Sequence, residues 1–312
     1  MIATVHPDAV HALYYKHEQL VVLARELAPD TLIVYECRDP LTLLDRAPGG
    51  PSERLTLERG ALQESDCQLF VSGPVRAYFE RLHGPDLAAT SMLIPHGFAL
   101  RTAAPPQPKL SARDGGTHLA LIGTASERPG HSRYYIEIIE HLTELGFTVH
   151  SHFFELARRA NDVYRRLAKR NRRYHYHATI SPRGQRNLSR QLLRYDLMGV
   201  FHDLAATEHS ESALLTVSMP MKAASGWFHG GLPVVCFPHY GGIAEQIEAH
   251  GIGFVTEDWD ALGRLVGDSQ AISAATERTL AVRALFSNEW NARRIELFVR
   301  AQAARATRST GR

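Results

Sequence analysis

The stretch that decides the fold is Ser218-Met-Pro-Met-Lys-Ala-Ala-Ser-Gly-Trp-Phe-His-Gly-Gly-Leu-Pro-Val-Val-Cys236. Pro220 suits the first turn of a helix, where the N–H it lacks would have no intrahelical partner. Gly230–Gly231 ends that helix, and Leu232–Cys236 reads as a buried strand. The segment therefore predicts a helix over Pro220–His229 that feeds a sheet. A helix N-terminus offers free backbone N–H groups and a partial positive charge. Lys222 sits in that first turn, where the dipole disfavours a cation. A bound anion, most simply a phosphate, would account for it. The plainer alternative is a surface lysine whose head reaches water.

Just downstream, Gly241-Gly-Ile-Ala-Glu-Gln-Ile-Glu248 reads as a Gly-rich turn opening a second helix. Glu245 is expected in its first turn, where the dipole favours a carboxylate. It could accept two ribose hydroxyl hydrogen bonds or simply stabilise the helix. Upstream, Gly123-Thr-Ala-Ser126 follows an expected strand at His118–Ile122. A small-residue loop there lies at the carboxyl edge of the sheet, where ligands bind. Arg128 and Arg133 follow within reach of a phosphate. The chain contains no GxGxxG, no Walker loop and no GxSxG elbow.

Around these segments strands and helices alternate, the signature of parallel βαβ units. Strands are expected at Ile2–Val5, Leu32–Tyr35, Cys67–Ser72 and Ser91–Pro95, with helices at Ala12–Leu27 and Ser52–Glu64 between them. After Pro105, Pro106 and Pro108 a second block has strands at His118–Ile122, Thr148–Phe153, Tyr174–His177, Leu197–Phe201, Pro233–Cys236 and Gly253–Thr256. Its helices are expected at His131–Leu145, Asn187–Tyr195, Gly242–His250 and Asp260–Leu265, and the chain reads as helical from Ser273 onward. The division is a first domain over 1–104, a linker over 105–116, a second domain over 117–272, and helices over 273–312 that cross back to the first.

The 312 residues, 44% hydrophobic and 22% charged, suit two soluble globular domains and exclude disorder, collagen and coiled coil as the main state. A net charge of +2 is too mild to imply nucleic acid. Cys37, Cys67 and Cys236 are scattered and odd in number, which speaks for a reducing compartment. No apolar run reaches the length of a membrane span and no signal peptide is evident, so a cytoplasmic location is expected. The basic stretch Arg158–Arg173 reads as a solvated helix face, with peripheral membrane contact as the alternative.

His6 directly follows the first expected strand, and an imidazole at a strand's carboxyl end can act on a substrate hydroxyl. Arg38-Asp39 follows the next strand in the same position. His150/His152 and His175/His177 are H-x-H pairs, each on one face of a strand. They lack an acidic or cysteine partner at firm spacing, so no metal site is expected.

Five pieces in order resemble the GT-B glycosyltransferases, specifically the large retaining group that includes sucrose and mannosyl transferases. They are Val34-Tyr-Glu-Cys-Arg-Asp39, Glu64-Ser-Asp-Cys-Gln-Leu-Phe-Val-Ser72, Ile94-Pro-His-Gly97, Tyr195-Asp-Leu-Met-Gly-Val200, and Pro220-Met-Lys222 through Gly231-Leu-Pro-Val-Val235. The resemblance implies an α/β chain of two Rossmann-like domains facing across a cleft, with the first domain incomplete. It implies sugar transfer from a nucleotide-diphosphate sugar, UDP- or GDP-linked, with no separate cofactor and no metal. The acceptor would be a carbohydrate, a lipid-linked intermediate or a small molecule, and a homodimer is among the expected assemblies. Lys222 would contact the donor diphosphate over Gly123, with Arg128 and Arg133 nearby. Glu245 would contact the ribose, and His6 and Asp39 would serve sugar and acceptor. The family's E-x7-E carboxylates are absent, their positions falling on Ser218 and Gly226. A nucleotide-sugar 2-epimerase and a degenerate binding or regulatory subunit are the alternatives.

Overall fold

The computed structural model describes residues 7–13, 18–44, 50–84, 87, 89–154, 162–177, 185–202 and 209–310. His6, Arg158 and the strand expected at Ile2–Val5 lie outside the described residues. The chain forms two units. The first comprises Met1–Pro95, His209–Met219 and Glu289–Arg312, and the second His96–Glu208 and Pro220–Asn288.

The first unit holds a four-stranded sheet in the order β1 (Ala9–Leu13), β2 (Leu32–Cys37), β3 (Cys67–Phe70), β4 (Ser91–Leu93), every pair parallel. β1 corrects the sequence reading, which put helix from Ala12. The helix is Glu18–Leu27, and Ala12 and Leu13 pair instead with Tyr35 and Glu36. Pairing to β2 outweighs a local helical period. Of the other helices, Gly73–His83 starts with Ser72, whose hydroxyl accepts from Val75 N–H, and ends on Gly84 at φ 79°.

Two distant segments complete this unit. Ser72 Oγ donates to the Val217 carbonyl at 2.8 Å, tying in the helix His209–Val217. The helix Asn288–Thr310 lays Ile295, Phe298 and Val299 against a core of Val34, Cys67, Leu69 and Ile94. Asn291 Nδ2 donates to the Pro95 carbonyl at 2.7 Å, and Arg294 donates to that of Leu93 at 3.1 Å.

The second unit holds six parallel strands in the order β10-β9-β8-β5-β6-β7. They are β5 (His118–Thr124), β6 (Thr148–Phe154), β7 (Tyr174–His177), β8 (Leu197–Gly199), β9 (Val234–Cys236) and β10 (Gly253–Val255). The chain runs outward from β5 through β6 and β7, then returns to β5's other side with β8. That reversal is a topological switch point, and crevices for ligands form beyond the carboxyl ends of the strands there.

Side-chain alternation divides the two faces of this sheet. Leu119, Leu121, Val149, Phe153 and Tyr174 join Ile139, Leu142, Tyr164 and Leu167 in one core. His118, His150, His152, His175 and His177 take the opposite alternation and pack as rings against one another and Tyr195. The helix expected over Pro220–His229 is α-helical only over Met221–Ser225. Gly226–Gly230 continues it as a π-turn, all five residues buried. Gly226 passes so close to β8 that an added Cβ would lie 2.8 Å from the Met198 side chain.

Candidate functional site

Three loops at the carboxyl edge of the second sheet converge on Lys222. The lysine is the second residue of the helix Met221–Ser225. Its Nζ donates to Tyr135 Oη at 3.2 Å and to His202 Nε2 at 3.1 Å. Tyr135 closes the loop after β5, and His202 lies just beyond β8. With Nε2 accepting, Nδ1 of neutral His202 carries the proton and donates to Tyr240 Oη at 3.1 Å, in the loop after β9. The result is a chain from Tyr240 through His202 and Lys222 to Tyr135, drawn from the ends of three neighbouring strands.

No carboxylate lies within ion-pair distance of Lys222 among the described residues. The charged group acting on it is Arg133, and burial together with that guanidinium holds its pKa down to about 7. Burial, then Lys222 and Arg133, push His202 well below the ordinary imidazole range. A half-buried amine and a nearby guanidinium with no counter-ion on the amine among the described residues leave excess positive potential at one spot, and such a spot accepts an anion.

Gly123, next to last in β5, stands close to this lysine with φ 118°, and a Cβ there would come 4.0 Å from Lys222 Cδ. A side chain at 123 would be strained by that φ, although its Cβ would make only ordinary contact with the lysine. Arg128 and Arg133 are exposed in the following loop, where Arg128 N–H donates to Ser126 Oγ at 3.2 Å. Glu245 is the fifth residue of the helix Gly241–His250, so it stands beyond the first turn expected for it, and it is half-buried. Asp39 lies exposed in the turn after β2, in the first unit. The structure thus brings Gly123, Arg133 and Lys222 together. His202 also lines a cavity of about 420 Å³, together with Tyr134, Glu137, His141, Phe237 and Trp259 among others.

Tyr135 and His202 escaped the sequence reading. His202 carried a usable signal, since it follows a strand end just as Gly123 does. Tyr135 carried none, because only the folded loop turns its hydroxyl toward the lysine. The H-x-H pairs are stacked, not convergent. The rings of His152 and His177 lie 9° from parallel, and those of His150 and His177 17°. Parallel rings do not aim their lone pairs at one point. Among the described residues no group of three or more His, Cys, Asp or Glu is arranged to hold a metal ion.

No family profile and no curated protein matches the sequence. Solved structures do match. Sucrose-phosphate synthase from Thermosynechococcus elongatus superposes with a TM-score of 0.66 at 17% identity, over 97% of this chain and 75% of that one. HepE of Anabaena, in complex with UDP and glucose, gives 0.63 at 17%, over 96% and 80%. A glycosyltransferase from Rickettsia africae gives 0.66 at 12%, over 97% and 78%. The chain has the GT-B fold. At these identities the likeness establishes the GT-B architecture, and the chemistry has to be argued from the residues. No helix among the described residues is long and apolar enough to cross a membrane.

Proposed function

We propose that this GT-B chain is a glycosyltransferase that takes a sugar from a nucleoside-diphosphate donor. One observation carries the reading: the half-buried Lys222 amine, with Arg133 as its charged neighbour and no carboxylate partner among the described residues, close to a glycine at the carboxyl edge of the sheet. That arrangement suits the diphosphate of a nucleotide sugar. Of the structures above, HepE is one whose complex contains UDP and glucose.

In the reaction an acceptor oxygen forms a bond to the sugar C1 as the bond from C1 to the diphosphate oxygen breaks. The nucleoside diphosphate departs with the electron pair, and the acceptor proton passes to one of its oxygens or to water. Lys222 and Arg133 stabilise the negative charge that grows on the leaving group, the largest contribution such a site can make. Arg128 is assigned to the same phosphates, Glu245 to the ribose, and His6 and Asp39 to the sugar and acceptor. Ser218 and Gly226, where the resembling family carries carboxylates, favour a second reading, a subunit that binds nucleotide without transferring. Mass spectrometry of UDP- and GDP-sugars incubated with mixed saccharide and lipid-linked acceptors tests the choice. A glycosylated product supports transfer. Tight nucleotide binding without product or donor hydrolysis supports the second reading.

A further inference from the structure

Lys222 is held from two sides by neutral groups. A lysine ammonium has three N–H donors. One goes to Tyr135 Oη at 3.2 Å and one to His202 Nε2 at 3.1 Å, so one remains. The ring of His202 is itself fixed, because its Nδ1–H is spent on Tyr240 Oη. The phenol of Tyr135 is fixed by its ring, stacked on Phe153 with centroids 5.1 Å apart. We propose that Tyr135 and His202 are positioning residues that leave Lys222 a single N–H for one oxygen of an anionic ligand, and that the ligand's arrival brings a proton onto the amine.

The proton follows from the neighbours. The titratable groups that face the amine and its imidazole partner are Arg133 and Tyr135 from the loop after β5, His202 after β8, and His239 and Tyr240 after β9. Among the described residues none is a carboxylate. Without ligand, burial and Arg133 disfavour the charged amine, whose pKa falls to about 7. A diphosphate supplies the missing negative charge and reverses that preference. The inference rests on the nucleotide reading for the ligand, while the clamp itself rests on the hydrogen bonds.

The chain has four lysines, Lys16, Lys109, Lys169 and Lys222, so 13C-lysine labelling gives a readable spectrum. The experiment follows the Lys222 Cε resonance, assigned with Lys222→Arg, against pH with and without saturating UDP or GDP. It is run on the parent, His202→Phe, His202→Gln and Tyr135→Phe. The parent should titrate near pH 7 alone, the value set by burial and Arg133, and about one unit or more higher with nucleotide. His202→Phe and Tyr135→Phe should each shift the ligand-free midpoint and weaken nucleotide about tenfold, the weight of one hydrogen bond to a charged group. His202→Gln, whose amide oxygen can accept in place of Nε2, should restore binding to within about threefold. A parent midpoint in the ordinary lysine range, or midpoints and affinities the same in all four proteins, overturns the clamp. Clamp variants that shift the midpoint while neither nucleotide moves it overturn the diphosphate reading instead.

Discussion

At Lys222 the electrostatics of the whole edge meet in one amine, so single substitutions there are informative. Lys222→Ala should weaken UDP or GDP by about 1.5–3 kcal/mol, as for a hydrogen bond to a charged group, and leave uridine or guanosine unchanged by calorimetry. Glu245→Ala should weaken nucleoside and nucleotide alike, because its assigned partner is the ribose. The pH dependence has a definite sign. The Lys222 pKa is lowered, to about 7, so the amine is charged below that value and loses its charge as pH rises through it. Nucleotide affinity should therefore fall from pH 7 toward pH 9, and the fall should vanish in Lys222→Ala. At Gly123, φ 118° is a conformation that other residues adopt only under strain. Gly123→Ala should cost about 1–3 kcal/mol in denaturant unfolding, whereas Gly50→Ala, at a helix N-cap with nothing within 4 Å of its added Cβ and no positive φ, should cost less, about 0.5 kcal/mol.

The elements were legible where composition and period agreed. Tyr174–His177 is a strand with the expected bounds, and Leu32–Cys37 extends the expected strand by two residues. Their β-rich runs pair with strands on both sides or pack on a deep core, so local and tertiary preferences coincide. Ala9–Leu13 was missed because its alanines and leucine continue a helical period into Glu18–Leu27, and only β2 makes it a strand. The histidine pairs were legible as sharing a face, but not as a stack, because ring orientation depends on three strands at once. In that stack His118 Nε2–H donates to Asp114 at 3.0 Å, His150 Nε2–H to His118 Nδ1 at 2.9 Å, and His177 Nε2–H to His150 Nδ1 at 3.1 Å. The carboxylate can only accept, which sets this direction along the row of rings.

Burial, followed by the neighbouring imidazoles, holds His150 down to about 2, His152 to about 3 and His177 to about 4. An unfolded chain protonates all three below about pH 6.5, while the folded chain does not. Lowered pKa values of this kind give stability that is present above the unfolded value and lost as pH falls. Stability should therefore fall as pH drops below about 6.5, each histidine that stays neutral in the fold contributing up to about 1.36 kcal/mol per pH unit. Urea unfolding at a series of pH values checks this, and His150→Gln should flatten the slope.

Across the whole molecule, the GT-B fold supplies the sheet edge on which Gly123, Tyr135, His202 and Lys222 meet, though these residues are separated by up to about a hundred positions in sequence. That Gly123, Arg133 and Lys222 lie at one sheet edge was readable from their places in the order of strands and helices, while Arg128 stands exposed in the loop after β5. The two groups that clamp the lysine were not readable, since their role exists only in three dimensions. If this edge binds a nucleoside diphosphate, thermal unfolding with UDP and with GDP will show it. Nucleotide at 100 times its dissociation constant should stabilise the parent by about 2.7 kcal/mol, seen as a rise in Tm that Lys222→Ala abolishes at the same concentration. No rise with either nucleotide up to millimolar concentration, or an equal rise in Lys222→Ala, would contradict it.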